Sequence, residues 1–296
     1  MIYNIRHLTT YSYEATVATA TLALRVVPRD DVGQRCLKHK LDISPLPASV
    51  TSARDFYGNS VNVVSIDTSH SELSIEAVAQ VEIGQRPALP VPDLGWETVA
   101  AAALARRDLS AKAPAHFLFA SPRIELSDDV TDYVRESFRQ GRAIVEACRE
   151  LIQRVKSDFI YQPETTEIWT SPVQAFAQRR GVCQDFAHIM IAGLRGLGLS
   201  AAYVSGYIRT FPPPGRKRLK GADATHAWVS VWCGLENGWV EFDPTNGIQT
   251  VDDHIALAVG RDFSDVSPIY GVFVGSGANK LHVEVDVIPD ASRSRV

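Results

Sequence analysis

Between residues 1 and 86, apolar and polar positions alternate in short runs: Ile2 to Thr10, Thr19 to Val27, Leu37 to Ile43, Val61 to Ile66 and Glu72 to Val81. Alternation with a period of two, rich in β-branched residues, is the pattern of strands with one buried face. Turn-forming clusters separate the runs at Pro28-Arg29-Asp30-Asp31, Pro45-Leu46-Pro47 and Tyr57-Gly58-Asn59-Ser60. Strands of this length and spacing predict an antiparallel, sandwich-like domain over residues 1–86.

The pattern then changes. Arg86 to Pro92 holds three prolines, which disfavours both helix and ladder and marks a linker. We expect residues 87–126 to be linker and connecting helix, with alanine-rich Trp96 to Arg107 as that helix. From Ser127 onward the apolar period becomes helical. Asp128 and Asp129 suit the positive end of a helix starting there. Val145, Cys148, Ile152 and Val155 form one stripe of a helix over Ala143 to Phe159. A short helix opens at Pro172. The best-marked helix follows Gly181, with Phe186, Ile189, Met190, Gly193, Leu194 and Leu197 on a broad apolar face and Gly196 to Gly198 ending it. Strand-like segments come after: Ala201 to Ile208, His226 to Cys233, Gly238 to Phe242 and Leu281 to Ile288. Helices first and strands after predict an α+β domain with an antiparallel sheet, residues 127–290.

Composition narrows the function classes. Hydrophobic residues are 45% and charged residues 22% of the 296 positions, ordinary for a globular chain. With 30 basic and 34 acidic side chains the net charge is -4, which argues against a broad nucleic-acid surface. The one dense basic run, Arg216 to Lys220, sits in a proline-rich stretch, Thr210 to Gly221, and reads as a solvated loop that could gate a neighbouring cleft. No apolar window is long enough for a membrane span, and Met1 to Glu14 lacks the unbroken apolar stretch of a secretory signal. The expected location is the cytoplasm, without membrane association. Cys36, Cys148, Cys183 and Cys233 show no C-x-x-C pair, so neither a disulfide framework nor a structural zinc site is expected.

One cysteine stands apart. Cys183 lies at the start of the best-marked helix, where free N–H groups and the helix dipole stabilise negative charge, as a nucleophilic thiolate requires. Gly181 lets the chain turn sharply into that helix. His226 stands near the start of a strand and Asp243 at the end of the next, where Pro244 stops the ladder. Gly234 and Asn237-Gly238 fold the second strand back on the first, bringing the start of one beside the end of the other. A thiol, an imidazole and a carboxylate gathered so can form a nucleophile, its base and the group that orients the base.

The blocks Gly181-Val182-Cys183-Gln184-Asp185-Phe186-Ala187, Asp223-Ala224-Thr225-His226-Ala227-Trp228 and Asp243-Pro244-Thr245-Asn246 together resemble the bacterial transglutaminase-like family, a branch of the papain-like cysteine hydrolases and acyltransferases. The resemblance covers about residues 127–288, and the first domain resembles the β-rich domain that accompanies this family. It implies a papain-like core in which the nucleophile helix packs on an antiparallel sheet, with Cys183, His226 and Asp243 as catalytic residues. It also implies a peptide or protein substrate and no cofactor. Tyr161 stands where the family carries an aromatic, and could help the Cys183 N–H to hold an oxyanion; a packed aromatic is the simpler reading.

Hydrolysis of an amide or peptide through a thioester is the favoured reaction. A protein-glutamine transglutaminase and a non-catalytic peptide-binding module are the alternatives. Trp169, Trp228 and Trp239 are read as core or wall, Asp185 and Asp223 as backbone caps, and His188 as structural. Cys183, His226 and Asp243 are also competent zinc ligands, although the implied chemistry needs no metal. Oligomeric state is not legible.

Overall fold

The structure is a computed structural model that describes residues 1–84, 93–163, 165–167, 169–211, 221 and 223–290. The prolines of the linker and the basic run at 216–220 lie outside the described residues.

Six strands open the chain: β1 (Ile2–Val17), β2 (Thr19–Leu24), β3 (Gln34–Ser44), β4 (Ser49–Arg54), β5 (Ser60–Ile66) and β6 (His70–Ile83). Helices α1 (Trp96–Ala105), α2 (Asp128–Arg135) and α3 (Ile144–Asp158) follow, then strand β7 (Ile160–Tyr161), helix α4 (Pro172–Gln178), strand β8 (Arg180–Gly181) and helix α5 (Cys183–Gly196). The remainder is β9 (Ala201–Ile208), β10 (Ala224–Trp232), β11 (Trp239–Asp243), β12 (Ile248–Gln249), β13 (His254–Gly260), α6 (Phe263–Val266), β14 (Ile269–Val274) and β15 (Asn279–Pro289).

Two four-stranded sheets, ordered β15-β1-β6-β3 and β14-β2-β5-β4, face each other as a sandwich. Leu22, Leu24, Val64, Ile66, Leu73 and Ile75 fill the space between them. Alternate burial along β6 and β2 is what one buried face requires. The fold is therefore the expected α+β arrangement with an N-terminal sandwich.

The segment Leu281 to Ile288, expected in the sheet of the second half, instead pairs with β1 of the sandwich. β14 likewise pairs with β2. Alternation reveals which face of a strand is buried but not which strand lies beside it. Here Val285 and Val287 are drawn to Tyr3, Ile5, Val81 and Ile83. That same cluster includes Tyr207, Ile255 and Leu257 of the second half, so sandwich and second half share a continuous apolar interface.

The second sheet is ordered β12-β11-β10-β9-β13. Helix α5 packs against β10 and β9, with α2 and α4 also against it. Every residue of α5 from Asp185 to Arg195 is buried, so its polar side chains need internal partners. Arg195 donates to the carbonyls of Ala201, Phe119 and Arg261, and His188 accepts from the Phe263 N–H at 3.3 Å. Ser171 caps α4 with a reciprocal Ser171–Gln174 box. Among the described residues no helix is long and apolar enough to cross a membrane.

Candidate active site

The start of α5, the start of β10 and the end of β11 converge. Cys183 is the first residue of α5, with Val182 as its extended N-cap. Asp185, two residues on, accepts from the Val182 N–H at 2.8 Å and from the Thr166 hydroxyl at 2.7 Å. It caps the turn, as expected, and is not presented to a substrate; burial raises its carboxyl above the ordinary carboxylate value. Gly181 is fixed by this cap, since a Cβ there would stand 2.5 Å from Oδ2 of Asp185.

His226 lies in β10 and Asp243 ends β11. The hairpin pairs Val229 with Phe242 and Trp232 with Trp239, in the antiparallel sense the turn signal predicts. Nε2 of His226 lies 2.8 Å from Oδ2 of Asp243, and the Cys183 thiol is within side-chain hydrogen-bonding reach of the same ring. With Nε2 given to Asp243, Nδ1 is the nitrogen left for the cysteine. Cys183 is half-buried, His226 is 7% exposed and Asp243 is fully enclosed.

Burial alone would drive both charged forms out. It pulls the His226 ring downward, yet the hydrogen bonds to Asp243 and Cys183 and their charges outweigh it and carry the ring up to about 10. Burial likewise pushes the Asp243 carboxyl upward. The donors gathered on it win and hold it well below the usual carboxylate range. Oδ1 accepts from the N–H groups of Thr245 and Asn246, and Oδ2 from Nδ2 of Asn246 at 2.7 Å as well as from His226.

A further donor reaches Oδ2. His254, at the start of β13 and fully buried, brings its Nε2 to 3.0 Å. Reading by periodicity missed it because β13 has no alternation: six of its seven residues are buried. The available signal was the apolar run Ile255 to Val259 immediately after a histidine, the mark of a strand covered on both faces.

Tyr161 is brought alongside: β7 pairs with β8, setting Tyr161 opposite Gly181. Its phenol is pushed up by burial and by the charge of Cys183, and the residue is 54% exposed. Trp228 is buried under His226 and His254, with ring centroids 6.1 and 5.3 Å from theirs. Trp239 packs on Phe117 at the other end of the hairpin, away from Asp243. Trp169 is exposed, with the Arg123 guanidinium stacked 3.8 Å above it. Asp223 accepts from the N–H and hydroxyl of Thr210 and from the Val287 N–H, a cap between strands.

A half-buried thiol at a helix start, beside an imidazole that an enclosed carboxylate holds, on a helix packed against an antiparallel sheet, is the arrangement expected of a transglutaminase-like fold. The comparisons agree. Residues 3–82 match the bacterial transglutaminase-like N-terminal region and residues 131–244 the transglutaminase-like superfamily. An uncharacterized protein of Mycobacterium tuberculosis strain H37Rv is 38% identical over 296 residues, covering 97% of this chain and 92% of its own. One from Mycobacterium leprae is 30% identical over 285 residues, covering 95% and 96%. A Cytophaga hutchinsonii structure, described as a candidate cysteine protease, shares the fold with a TM-score of 0.74 at 22% identity, over 98% of this chain and 91% of that one. The chain belongs to the transglutaminase-like superfamily, whose members are typically cysteine-dependent enzymes, with the bacterial N-terminal region in front.

Proposed function

We propose that the chain is a cysteine-dependent amide or peptide hydrolase, with Cys183 as nucleophile, His226 as acid and base, and Asp243 as the carboxylate that orients the ring. The observation that carries this reading is the His226–Asp243 hydrogen bond beside the Cys183 thiol at the N-terminus of α5, with Cys183 close enough to interact with the His226 ring.

Sγ of Cys183 attacks the carbonyl carbon, and the oxygen takes the displaced electron pair. The Cys183 N–H, at the helix start, is the donor this reading assigns to that oxyanion, with the Tyr161 hydroxyl beside Cys183 as a second candidate. As the C–N bond breaks, His226 gives its proton to the departing amine and a thioester remains. The hydrogen bond and charge of Asp243 raise His226 above the ordinary imidazole value, which favours the protonated ring as the acid. Water then attacks the thioester, His226 takes its proton, and the acid product leaves as Sγ is regenerated. The half-buried position of Cys183 and the exposure of Tyr161 support water as the second nucleophile.

The test is to incubate wild-type and Cys183→Ala protein with a diverse peptide library, with and without a primary amine, and to identify products by mass spectrometry. Cysteine-dependent cleavage or deamidation in water supports the hydrolase. Amine adducts formed in preference to hydrolysis replace it with a transglutaminase. Identical product profiles for the two proteins contradict it and favour a peptide-binding module.

A further inference from the structure

We propose that His254 is a positioning residue for the His226–Asp243 pair, and that the sandwich holds it in place by clamping β13 with the side-chain amides of Gln34 and Asn59. The inference rests on the functional reading above and assigns to the N-terminal domain a part in the site.

The ring of His254 has a defined tautomer. The Val251 N–H donates to its Nδ1 at 3.3 Å, so the ring proton sits on Nε2 and is donated to Oδ2 of Asp243 at 3.0 Å. Oδ2 thereby receives N–H groups from His226, His254 and Asn246. Oδ1 is pinned by the two backbone N–H groups after Pro244. A carboxylate so surrounded cannot rotate away from His226 without giving up several of these hydrogen bonds at once.

His226, Asp243 and His254 also bring their ligand-type atoms within 4.8 Å of one another, a spacing a metal ion could use. The tautomer argues for hydrogen bonds instead. A cation on Nε2 of His254 would move the ring proton to Nδ1, where it would face the Val251 N–H donor head on.

What keeps His254 there is not the second half alone. β13 is an edge strand of its sheet, with β9 on one side. On the other side, where a sixth strand would pair, stand two amide side chains from the sandwich. Gln34 exchanges both bonds with Ala256, Nε2 to the carbonyl and the Ala256 N–H to Oε1, each 2.8 Å. Asn59 does the same with Val259, both bonds again 2.8 Å. The Arg29 N–H adds a bond to the Ala256 carbonyl at 3.2 Å. A register shift against β9 falls between Ala256 and Ala258, inside the clamped stretch. Asn59 is fully buried and itself held by Asp55 and Arg29. The turn residues that periodicity marks only as breaks, Arg29 and Asn59, are therefore contacts to the strand that carries His254.

The experiment is iodoacetamide alkylation of the full chain, with rates read for each cysteine by peptide mapping, in wild type, His226→Ala, His254→Ala, His254→Gln, Asn59→Ala and the Asn59→Ala/His254→Ala double variant. His254→Ala is expected to slow Cys183 about tenfold, the scale of one lost hydrogen bond to a charged group, with Cys36 unchanged and Cys148 and Cys233 still protected. Gln can donate to Asp243, so His254→Gln is expected to restore most of the rate. Asn59→Ala is expected to slow Cys183 on its own but to add nothing in the His254→Ala background.

Loss of Cys183 reactivity together with exposure of Cys148 and Cys233 shows general unfolding and overturns the positioning role. An unchanged rate in His254→Ala overturns it while leaving the functional reading intact, provided His226→Ala slows Cys183. If His226→Ala has no effect, the reading and this inference fall together. Independently of any variant, ring nitrogen shifts of the wild-type protein are expected to show His254 as the Nε2–H tautomer; the Nδ1–H tautomer overturns the proposal.

Discussion

Oδ2 of Asp243 lies 2.8 Å from Nε2 of His226 although 17 positions separate them, and the hairpin between them explains why. It pairs Val229 with Phe242. Extending that register by one step would set Asp243 across from Trp228, and His226 lies two residues beyond on the same face. The contact is diagonal, so the carboxylate must lean along the sheet, and its other donors hold it in that attitude. Replacing Asp243 by Asn keeps the size but removes the charge that favours the imidazolium. We expect Asp243→Asn to lower Cys183-dependent turnover by about a hundredfold or more, the usual worth of an oriented acid–base group. Steady-state kinetics on a peptide found by the library screen checks this; a loss under threefold contradicts the role given to Asp243.

The same pair sets an alkaline limit on stability. His226 is raised in the folded protein to about 10 from an ordinary 6.5. A raised group contributes stability that is fully present below the unfolded value and is lost as pH rises through the folded one. The expected loss therefore runs from about pH 6.5 up to about pH 10. Urea midpoints across that window should fall in wild type and fall less in Asp243→Asn. Equal slopes in the two proteins would contradict the assignment.

An acid limb has a different origin. His7, buried in β1 and bonded to the Tyr207 hydroxyl at 2.8 Å and the Thr9 hydroxyl at 3.0 Å, is pushed down to about 4 by burial. His188, buried in α5, is also lowered to about 4, chiefly by burial. For each, the unfolded chain binds a proton that the folded one refuses. Stability is present above about pH 6.5 and lost as pH falls toward about 4. His7→Gln, which keeps a polar partner for Tyr207, should flatten part of this slope in urea titrations. An unaltered slope would show that His7 is not a source of it.

Gly206 occupies the sheet position between His226 and Ala256. A Cβ there would stand 2.2 Å from the Ile255 carbonyl oxygen and 2.4 Å from the Trp228 ring. Backbone cannot yield, and the indole is fully buried. Gly206→Ala is expected to cost about 1–3 kcal/mol by overpacking and to slow Cys183 alkylation, because Trp228 lies against both histidines. Thermal denaturation and alkylation together check it; a wild-type melting temperature would contradict the packing argument.

Much of the site is legible in the sequence because its geometry is local. Cys183 follows from one helix start, and the meeting of His226 with Asp243 follows from one hairpin whose turn residues are plain. Strands β1, β2, β3, β5 and β6 of the sandwich are legible through alternation, whereas β4 and β14, exposed along nearly their whole length, show none. What escapes is whatever depends on long-range pairing. β15 alternates well enough to be read as a strand, but its partner, β1, lies more than 260 residues earlier. His254 sits on a strand buried on both faces, where alternation vanishes. Gln34 and Asn59 give no pattern at all, because their partners are backbone groups of β13 in the other half of the fold.

The central claim is that Cys183 is activated by His226, and the most direct measurement is its alkylation by iodoacetamide at pH 6 with Cys36 as internal reference. Cys36 is half-buried, and its thiol is raised by burial and by Asp30, so it should react slowly at that pH. Cys148 and Cys233 are fully buried, raised by burial, and should not react. The account expects Cys183 to react at least about tenfold faster than Cys36, as a thiol held by an imidazolium should, and to lose that advantage in His226→Ala. A Cys183 no faster than Cys36, or one indifferent to the loss of His226, would contradict it.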